Sequence, residues 1–132
     1  MIDDLTDTDL AAMATAVAPV DRLPLDRGVA ALVEGEPVAV FRLSDGAIYA
    51  IDHVEPFTGV PVLARGLVGS VGDVPTVASP LHKQRFDLRT GVCLDDPDHP
   101  VRTWPVEVAD DVVHVVHDPH LHSSANPEGP PC

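Results

Sequence analysis

The sequence predicts a small all-β domain, a sandwich or barrel of short antiparallel strands. Apolar, β-branched and aromatic residues occur in short runs, and turn residues separate these runs at even spacing. No long stretch has the apolar period of a helix. The 132 residues fit one domain, which is large enough to bury a core without disulfides or metal.

Turn signals divide the domain into groups of strands. Residues 34–35 and 44–46 connect a three-stranded meander, and the second connection is an Asp-Gly turn typical of hairpins. Residues 72–73 and 110–111 join two further pairs. The predicted strands are Val29–Val33, Val38–Leu43, Ile48–Ile51, Leu67–Val71, Pro75–Ala78, Gln84–Leu88, Trp104–Val108 and Val112–Val116.

The two ends of the chain differ from this domain in composition. Residues 1–12 form an acidic tail with four aspartates in the first ten positions, which could instead cap a short helix near Leu10–Ala14. Residues 118–132 contain four prolines and no periodicity, so we expect them to be disordered. The predicted β domain therefore spans residues 13–117.

Composition excludes several classes of function. With 21 acidic and 8 basic side chains, the net charge of −13 argues against nucleic-acid binding, which needs a basic face. No apolar run could span a membrane, and the acidic N-terminus is unlike a signal peptide, so we expect a cytoplasmic protein. Phosphate-binding loops, nucleophile elbows and dinucleotide fingerprints are all missing from the sequence, which predicts no catalytic residues.

Two irregular segments, residues 52–65 and 79–85, follow predicted strands, and loops on a rigid scaffold often carry function. The second reads Ser-Pro-Leu-His-Lys-Gln-Arg and continues through Phe-Asp to a Thr-Gly turn. It resembles the Cys-Pro-x-His-x-x-x-Phe-Asp loop of Rieske iron–sulfur domains. The first contains Glu-Pro-Phe after Tyr-Ala-Ile-Asp, and resembles the Cys-Pro-His loop of the same domains.

This resemblance implies a Rieske-like sandwich with two protruding loops whose cluster ligands are missing. Rieske loops supply two thiolates and two imidazoles to the irons. Glu55 and Ser79 occupy the cysteine positions, and Phe57 and His82 occupy the histidine positions. A carboxylate, a phenyl ring and a hydroxyl do not replace soft ligands. We therefore expect no [2Fe–2S] cluster and no metal site in this chain.

A cluster-free domain of this kind is similar to the small subunit of the cytoplasmic, assimilatory NAD(P)H-dependent nitrite reductases. The match lies in residues 38–69 and 77–97, although Glu55 stands where that family is expected to have Asp. The family implies docking to a large subunit that carries siroheme, a [4Fe–4S] cluster, FAD and the NAD(P)H site. The complex would reduce nitrite to ammonium, with no cofactor in this chain.

A basic run offers a docking surface in a chain that is otherwise acidic. Lys83, Arg85 and Arg89 could face an acidic partner. Alternatively they are solvated and pair locally with Asp87, because alternation in a strand would put all four on one face. The candidate docking residues are Glu55, Phe57, His82, Lys83, Arg85 and Arg89.

Other functions remain open for the same residues. A stand-alone binding module could hold a metal or small ligand at the loop tip, or through the late histidines. A redox ferredoxin is a further alternative. Phe57 and Phe86 are interpreted as filling the cluster volume, and Trp104 belongs to the core or an interface. The late histidines are His114, His117, His120 and His122.

Overall fold

The computed structural model describes residues 14–117, and in these the all-β prediction is confirmed. The predicted tails, including His120, His122 and Cys132, lie outside the described residues. Within residues 14–117, no helix is long and apolar enough to cross a membrane. The strands are β1 Ala14–Pro19, β2 Arg27–Val33, β3 Glu36–Arg42, β4 Ile48–Asp52, β5 Leu67–Val71, β6 Val74–Ala78, β7 Arg85–Asp87, β8 Thr103–Trp104, β9 Val106–Ala109 and β10 Val112–Val116, with short 3-10 helices at Val20–Arg22 and Leu63–Arg65.

The strands form three antiparallel sheets, ordered β1-β10-β9, β2-β3-β4-β8 and β5-β6-β7. The middle sheet separates two apolar cores, because successive side chains of a strand point to opposite faces. On β3, Ala39 and Phe41 pack into the core shared with β6 and β7, where Val77 and Phe86 lie. The neighbouring Val38 and Val40 enter the second core, with Val113 and Val115 of β10.

This position explains the continuous apolar sequence of β3. A strand with one face in water alternates between apolar and polar residues, whereas a strand buried on both faces does not. Residues 38–41 of β3 are all fully buried. The sandwich therefore has three layers, and its middle layer is the most buried.

The structure corrects three details of the sequence prediction. The segment Ala14–Pro19, of which Ala14 was the end of a possible helix, is strand β1 and pairs with β10. The predicted strand 104–108 is divided at Pro105, whose nitrogen donates no hydrogen bond. Its first part, β8, pairs with β4, and its second part, β9, pairs with β10. Strand β7 contains only residues 85–87.

Three loops gather at one end of the middle sheet and of the sheet β5-β6-β7. Loop 1, residues 53–62, follows β4, and loop 2, residues 79–84, follows β6. Loop 3, residues 94–100, follows the bridge between Phe86 and Cys93. Side-chain contacts join loop 1 to loops 2 and 3, and together we call them the loop tip.

Candidate functional site: the loop tip

Glu55 lies at the centre of the loop tip, and its side chain is fully buried. Its Oε1 atom accepts hydrogen bonds from the backbone N–H of Phe57 at 2.6 Å and of Thr58 at 2.7 Å. The Thr58 hydroxyl donates to the same oxygen at 3.2 Å. No basic side chain of residues 14–117 forms an ion pair with this carboxylate. Its buried oxygens are therefore satisfied by backbone and hydroxyl groups of the protein.

Ser79 connects Glu55 to loop 2. The Ser79 hydroxyl donates to Glu55 Oε2 at 3.4 Å and accepts the backbone N–H of Leu81 at 3.1 Å. The backbone carbonyl of Ser79 accepts the N–H of Lys83 at 2.9 Å, which closes the turn of loop 2. The two residues matched to the cysteine positions are thus joined by a hydrogen bond, which we call the Glu55–Ser79 bridge.

Phe57 fills the space between the loops. Its ring lies 6.5 Å from the ring of Phe86, which is fully buried in the core. On another side the imidazole of His99 from loop 3 stacks on Phe57, with 4.6 Å between ring centroids. The contact with Phe86 agrees with the interpretation of these rings as apolar filling, whereas His99 was not identified from the sequence. Because 42 residues separate His99 from Phe57, no local sequence pattern indicates that the two rings are in contact.

His82 and Lys83 lie on the exposed side of loop 2. Lys83 has a positive φ of 65°, a left-handed conformation that residues with a Cβ seldom adopt. No hydrogen bond joins His82 to Glu55 among the residues that the structure describes. The remaining matched histidine is therefore exposed and is not part of the Glu55–Ser79 bridge.

The basic run does not share one strand face, and this part of the prediction is wrong. Strand β7 contains only residues 85–87, so Lys83 and Arg89 lie outside it. Arg85 and Asp87, at the two ends of β7, differ in burial, since Arg85 is exposed and Asp87 is buried. Arg89 pairs with Asp87 at 3.2 Å, as the local alternative predicted. Arg85 instead forms a two-pronged pair with Asp95, with a shortest N–O distance of 2.9 Å. The hydrogen bonds from Arg85 lower the pKa of the Asp95 carboxyl.

His53 holds the start of loop 1 against the 3-10 helix that follows. Its Nδ1 accepts the backbone N–H of Ala64 at 3.0 Å, and its carbonyl accepts the N–H groups of residues 62 and 63. Burial, and then the positive charge of Arg65, lower the pKa of His53. A neutral imidazole with a proton on Nε2 fits this hydrogen bond.

The residues at the four matched positions do not fit a [2Fe–2S] cluster. They offer one buried carboxylate, one hydroxyl, one exposed imidazole and a phenyl ring that has no donor atom. Iron–sulfur clusters need thiolates or imidazoles at all four positions. Across residues 14–117, no group of three or more His, Cys, Asp or Glu side chains is arranged to hold a metal ion.

The nearest alternative thiol is Cys93, whose side chain is fully buried beside Phe86. Burial raises the pKa of its thiol, which keeps the sulfur protonated and a poor ligand. Cys93 belongs to the apolar core and not to the loop tip.

Other candidate residues lie away from the tip. His114 is on β10 with its Nδ1 3.1 Å from the carbonyl of Val112, and His117 lies 3.8 Å from Glu34. Trp104 is buried in the second core. The described late histidines therefore have partners outside loops 1 and 2.

The chain is similar in sequence to a known domain family and to subunits of nitrite reductases. A family model described as a Rieske-like [2Fe–2S] domain matches residues 14–116. The nitrite reductase (NADH) small subunit of Salmonella typhimurium is 38% identical over 100 residues, covering 75% of this chain and 93% of that protein. A nitrite reductase NAD(P)H large subunit of Klebsiella oxytoca is 41% identical over 100 residues. This match covers 76% of the present chain but spans only 10% of the Klebsiella protein.

Solved structures with a similar fold include a nitrite reductase subunit and a ferredoxin. One from Mycobacterium tuberculosis, provisionally described as an NADH-dependent nitrite reductase small subunit, has a TM-score of 0.77 at 40% identity. The similarity covers 80% of this chain and 95% of that chain. The ferredoxin of carbazole 1,9a-dioxygenase from Nocardioides aromaticivorans has a TM-score of 0.70 at 30% identity, covering 80% and 99% of the two chains.

Proposed function

This chain belongs to the Rieske-like family of nitrite reductase small subunits, and we propose that it is a cluster-free subunit that docks to a large subunit. The enzyme would act in the cytoplasm, where the large subunit reduces nitrite to ammonium with siroheme, a [4Fe–4S] cluster, FAD and NAD(P)H. This chain contributes no redox cofactor and no catalytic group. Its role is to bind and order the large subunit.

The observation that carries the cluster-free proposal is the Glu55–Ser79 bridge. Where a Rieske cluster would tie two loops together through metal bonds, a buried carboxylate accepts donors from both loops. Phe57 fills the adjoining space against Phe86 and His99. These contacts support the proposal that the loops are held together without iron.

The relative from Klebsiella supports association with a large subunit. In that protein the similar segment is about a tenth of a chain named as a large subunit, so the domain and its neighbours form one polypeptide. Interfaces between the domains of one chain resemble interfaces between separate proteins. A domain that occurs both inside a large subunit and as a separate chain is therefore expected to contact the same partner in both cases. We infer that the separate chain makes the same contact without a covalent link.

A redox ferredoxin is the second candidate, because a solved ferredoxin has a similar fold at 30% identity. This function needs a bound cluster to hold the electron. The donor set at the loop tip argues against it, since three of the four matched positions lack a soft ligand.

Co-expression with the large subunit of the same organism tests the proposed function. We expect the untagged chain to co-purify with tagged large subunit, and NADH-dependent nitrite reduction to fall when the chain is omitted. A Rieske ferredoxin with intact ligands, expressed in the same way, is the control and should not co-purify. Failure of the chain to co-purify and to affect turnover would contradict the proposal.

A further inference from the structure

The three basic residues of the segment 83–89 differ in whether their charge is already neutralised. Arg85 is paired with Asp95, and Arg89 with Asp87. Lys83 has no ion pair with any carboxylate of residues 14–117. If Arg85 or Arg89 bound a partner protein, it would lose its ion pair within this chain. Lys83 has no such ion pair to lose.

Two exposed apolar side chains lie in the two loops that the Glu55–Ser79 bridge joins, and Lys83 lies in the second of these loops. Val60 is 40% exposed and Leu81 is 45% exposed. Hydrogen bonds fix their positions, since the Val60 carbonyl accepts the N–H of Glu55, and the Leu81 N–H donates to Ser79. Both residues therefore flank the Glu55–Ser79 bridge, one from each loop.

The backbone of Lys83 gives an independent reason to look for a role of its side chain. At φ 65° a glycine is favoured, and an asparagine is tolerated better than a lysine. The strained conformation is maintained by the hydrogen bond from its N–H to the Ser79 carbonyl. Such outliers often mark functional positions, and here the strained residue is also the one basic residue of segment 83–89 without an ion pair to residues 14–117.

We propose that Lys83, with Val60 and Leu81, forms the contact surface of the loop tip for an apolar, carboxylate-bearing surface of the large subunit. This inference rests on the proposed function. Glu55 lies beneath this surface and holds its two loops together. The apolar side chains supply buried area, and the lysine supplies orientation and charge complementarity.

A second copy of this chain fits the surface less well. Two copies would each bring a net charge of −13, and repulsion between them opposes association. In a two-fold contact the same patch meets itself, so Lys83 of each copy would approach the other. The surface therefore suits a different chain with exposed carboxylates.

The test is the dissociation constant of the complex between the full chain and the purified large subunit. We expect Lys83→Glu to weaken binding by about tenfold or more, with a smaller effect at high salt. Lys83→Gly should weaken binding about threefold. Because glycine relieves the left-handed conformation, this variant should keep or raise the melting temperature, which separates a loss of binding from a loss of folding.

Arg22→Glu is the matched control, because it makes the same change in net charge at an exposed arginine of the first 3-10 helix. The carbonyl of Leu23, directly after that helix, accepts a hydrogen bond from the Arg42 side chain. Arg42 lies at the opposite end of the middle sheet from loop 1. Arg22→Glu should change the dissociation constant by less than about twofold.

Three outcomes would overturn the inference. If the wild-type chain does not bind the large subunit, the proposed function fails together with it. If it binds, but Lys83→Glu binds as tightly as Arg22→Glu, the contact surface fails while the proposed function stands. If Lys83→Glu instead dissociates a wild-type dimer seen by sedimentation, the surface serves a second copy of this chain.

Discussion

Asp52 and Glu55 lie three residues apart, yet their carboxylates are stabilised in different ways. Asp52, at the end of β4, is partly exposed and accepts hydrogen bonds from the Arg102 guanidinium and from Trp104 Nε1 at 2.9 Å. Arg102 also lies over the Trp104 ring and pairs with Glu36. Glu55 is fully buried and is held by backbone N–H groups and hydroxyls.

The difference shows how each region is built. Asp52 is part of an ion network that connects β4 to β8, next to water that screens its charge. Glu55 joins loops 1 and 2, which lie outside the sheet strands, in the place where a metal cluster would do so in related domains. A buried acceptor with several donors is costly to remove, because each donor loses its partner.

The largest effect is expected from Glu55→Ala. It removes the acceptor for two backbone N–H groups and two hydroxyls, and we expect a loss of about 3 kcal/mol in the free energy of unfolding. Urea denaturation of the full chain measures it. Glu107→Ala on β9 is the control and should cost less than about 0.5 kcal/mol. A loss for Glu55→Ala equal to that of the control would mean that the bridge does not hold the loops.

Asp52→Ala should have a smaller effect, about 2 kcal/mol by the same measurement, since Arg102 keeps its pair with Glu36 and can reach water. The effect should shrink with added salt, because part of it is the screened attraction to Arg102. Glu55→Ala, which removes no ion pair among the described residues, should show no such salt dependence. Equal salt dependence in the two variants would contradict the claim that an ion pair stabilises Asp52 but not Glu55.

Ser79→Ala tests the hydrogen bonds that the Ser79 hydroxyl makes within the loop tip. The Ser79 hydroxyl donates a long hydrogen bond to Glu55 and accepts one from Leu81, so we expect a loss of about 1 kcal/mol. Exchange of the Leu81 amide hydrogen should accelerate while that of β3 amides stays unchanged. Unchanged exchange at Leu81 would contradict the hydrogen bond from its N–H to the Ser79 hydroxyl.

The smallest effect is expected at His53, which lies between Asp52 and Glu55 in the sequence. Its titration should make the stability of the chain depend on pH. Because its pKa is below the ordinary 6.5 in the folded chain, the unfolded chain binds more protons at mildly acidic pH. Stability should therefore fall as pH drops from about 6.5 towards the lowered pKa. Protonation of Nδ1 would also oppose the Ala64 N–H. His53→Gln, whose side-chain oxygen accepts this N–H without titrating, should flatten the slope, and an unchanged slope would contradict this role.

Most strands were predictable because the pattern of apolar runs and turns is local. Strand β1 was not, since Ala14–Pro19 is rich in alanine and becomes a strand through pairing with β10, far along the chain. The division at Pro105 follows from a known property of proline, but the change of sheet that it permits depends on tertiary contacts. Local sequence therefore predicts strands better than it predicts partners.

In the candidate site, too, residue positions were predictable from the sequence, whereas contacts between the loops were not. The matched positions of Glu55 and Ser79 were identified from the resemblance to the two Rieske loops, whereas the hydrogen bond that joins them is visible only in the structure. The stacking of His99 on Phe57 and the pairing of Arg85 with Asp95 both depend on where loop 3 lies. No periodicity or motif in residues 94–100 indicates that position.

The most direct test of the central claim is the iron and acid-labile sulfide content of the full chain, purified without oxygen and without a tag. We expect no stoichiometric iron or sulfide and no iron–sulfide charge-transfer bands in the visible spectrum. Two irons and two sulfides per chain, with such bands, would contradict it.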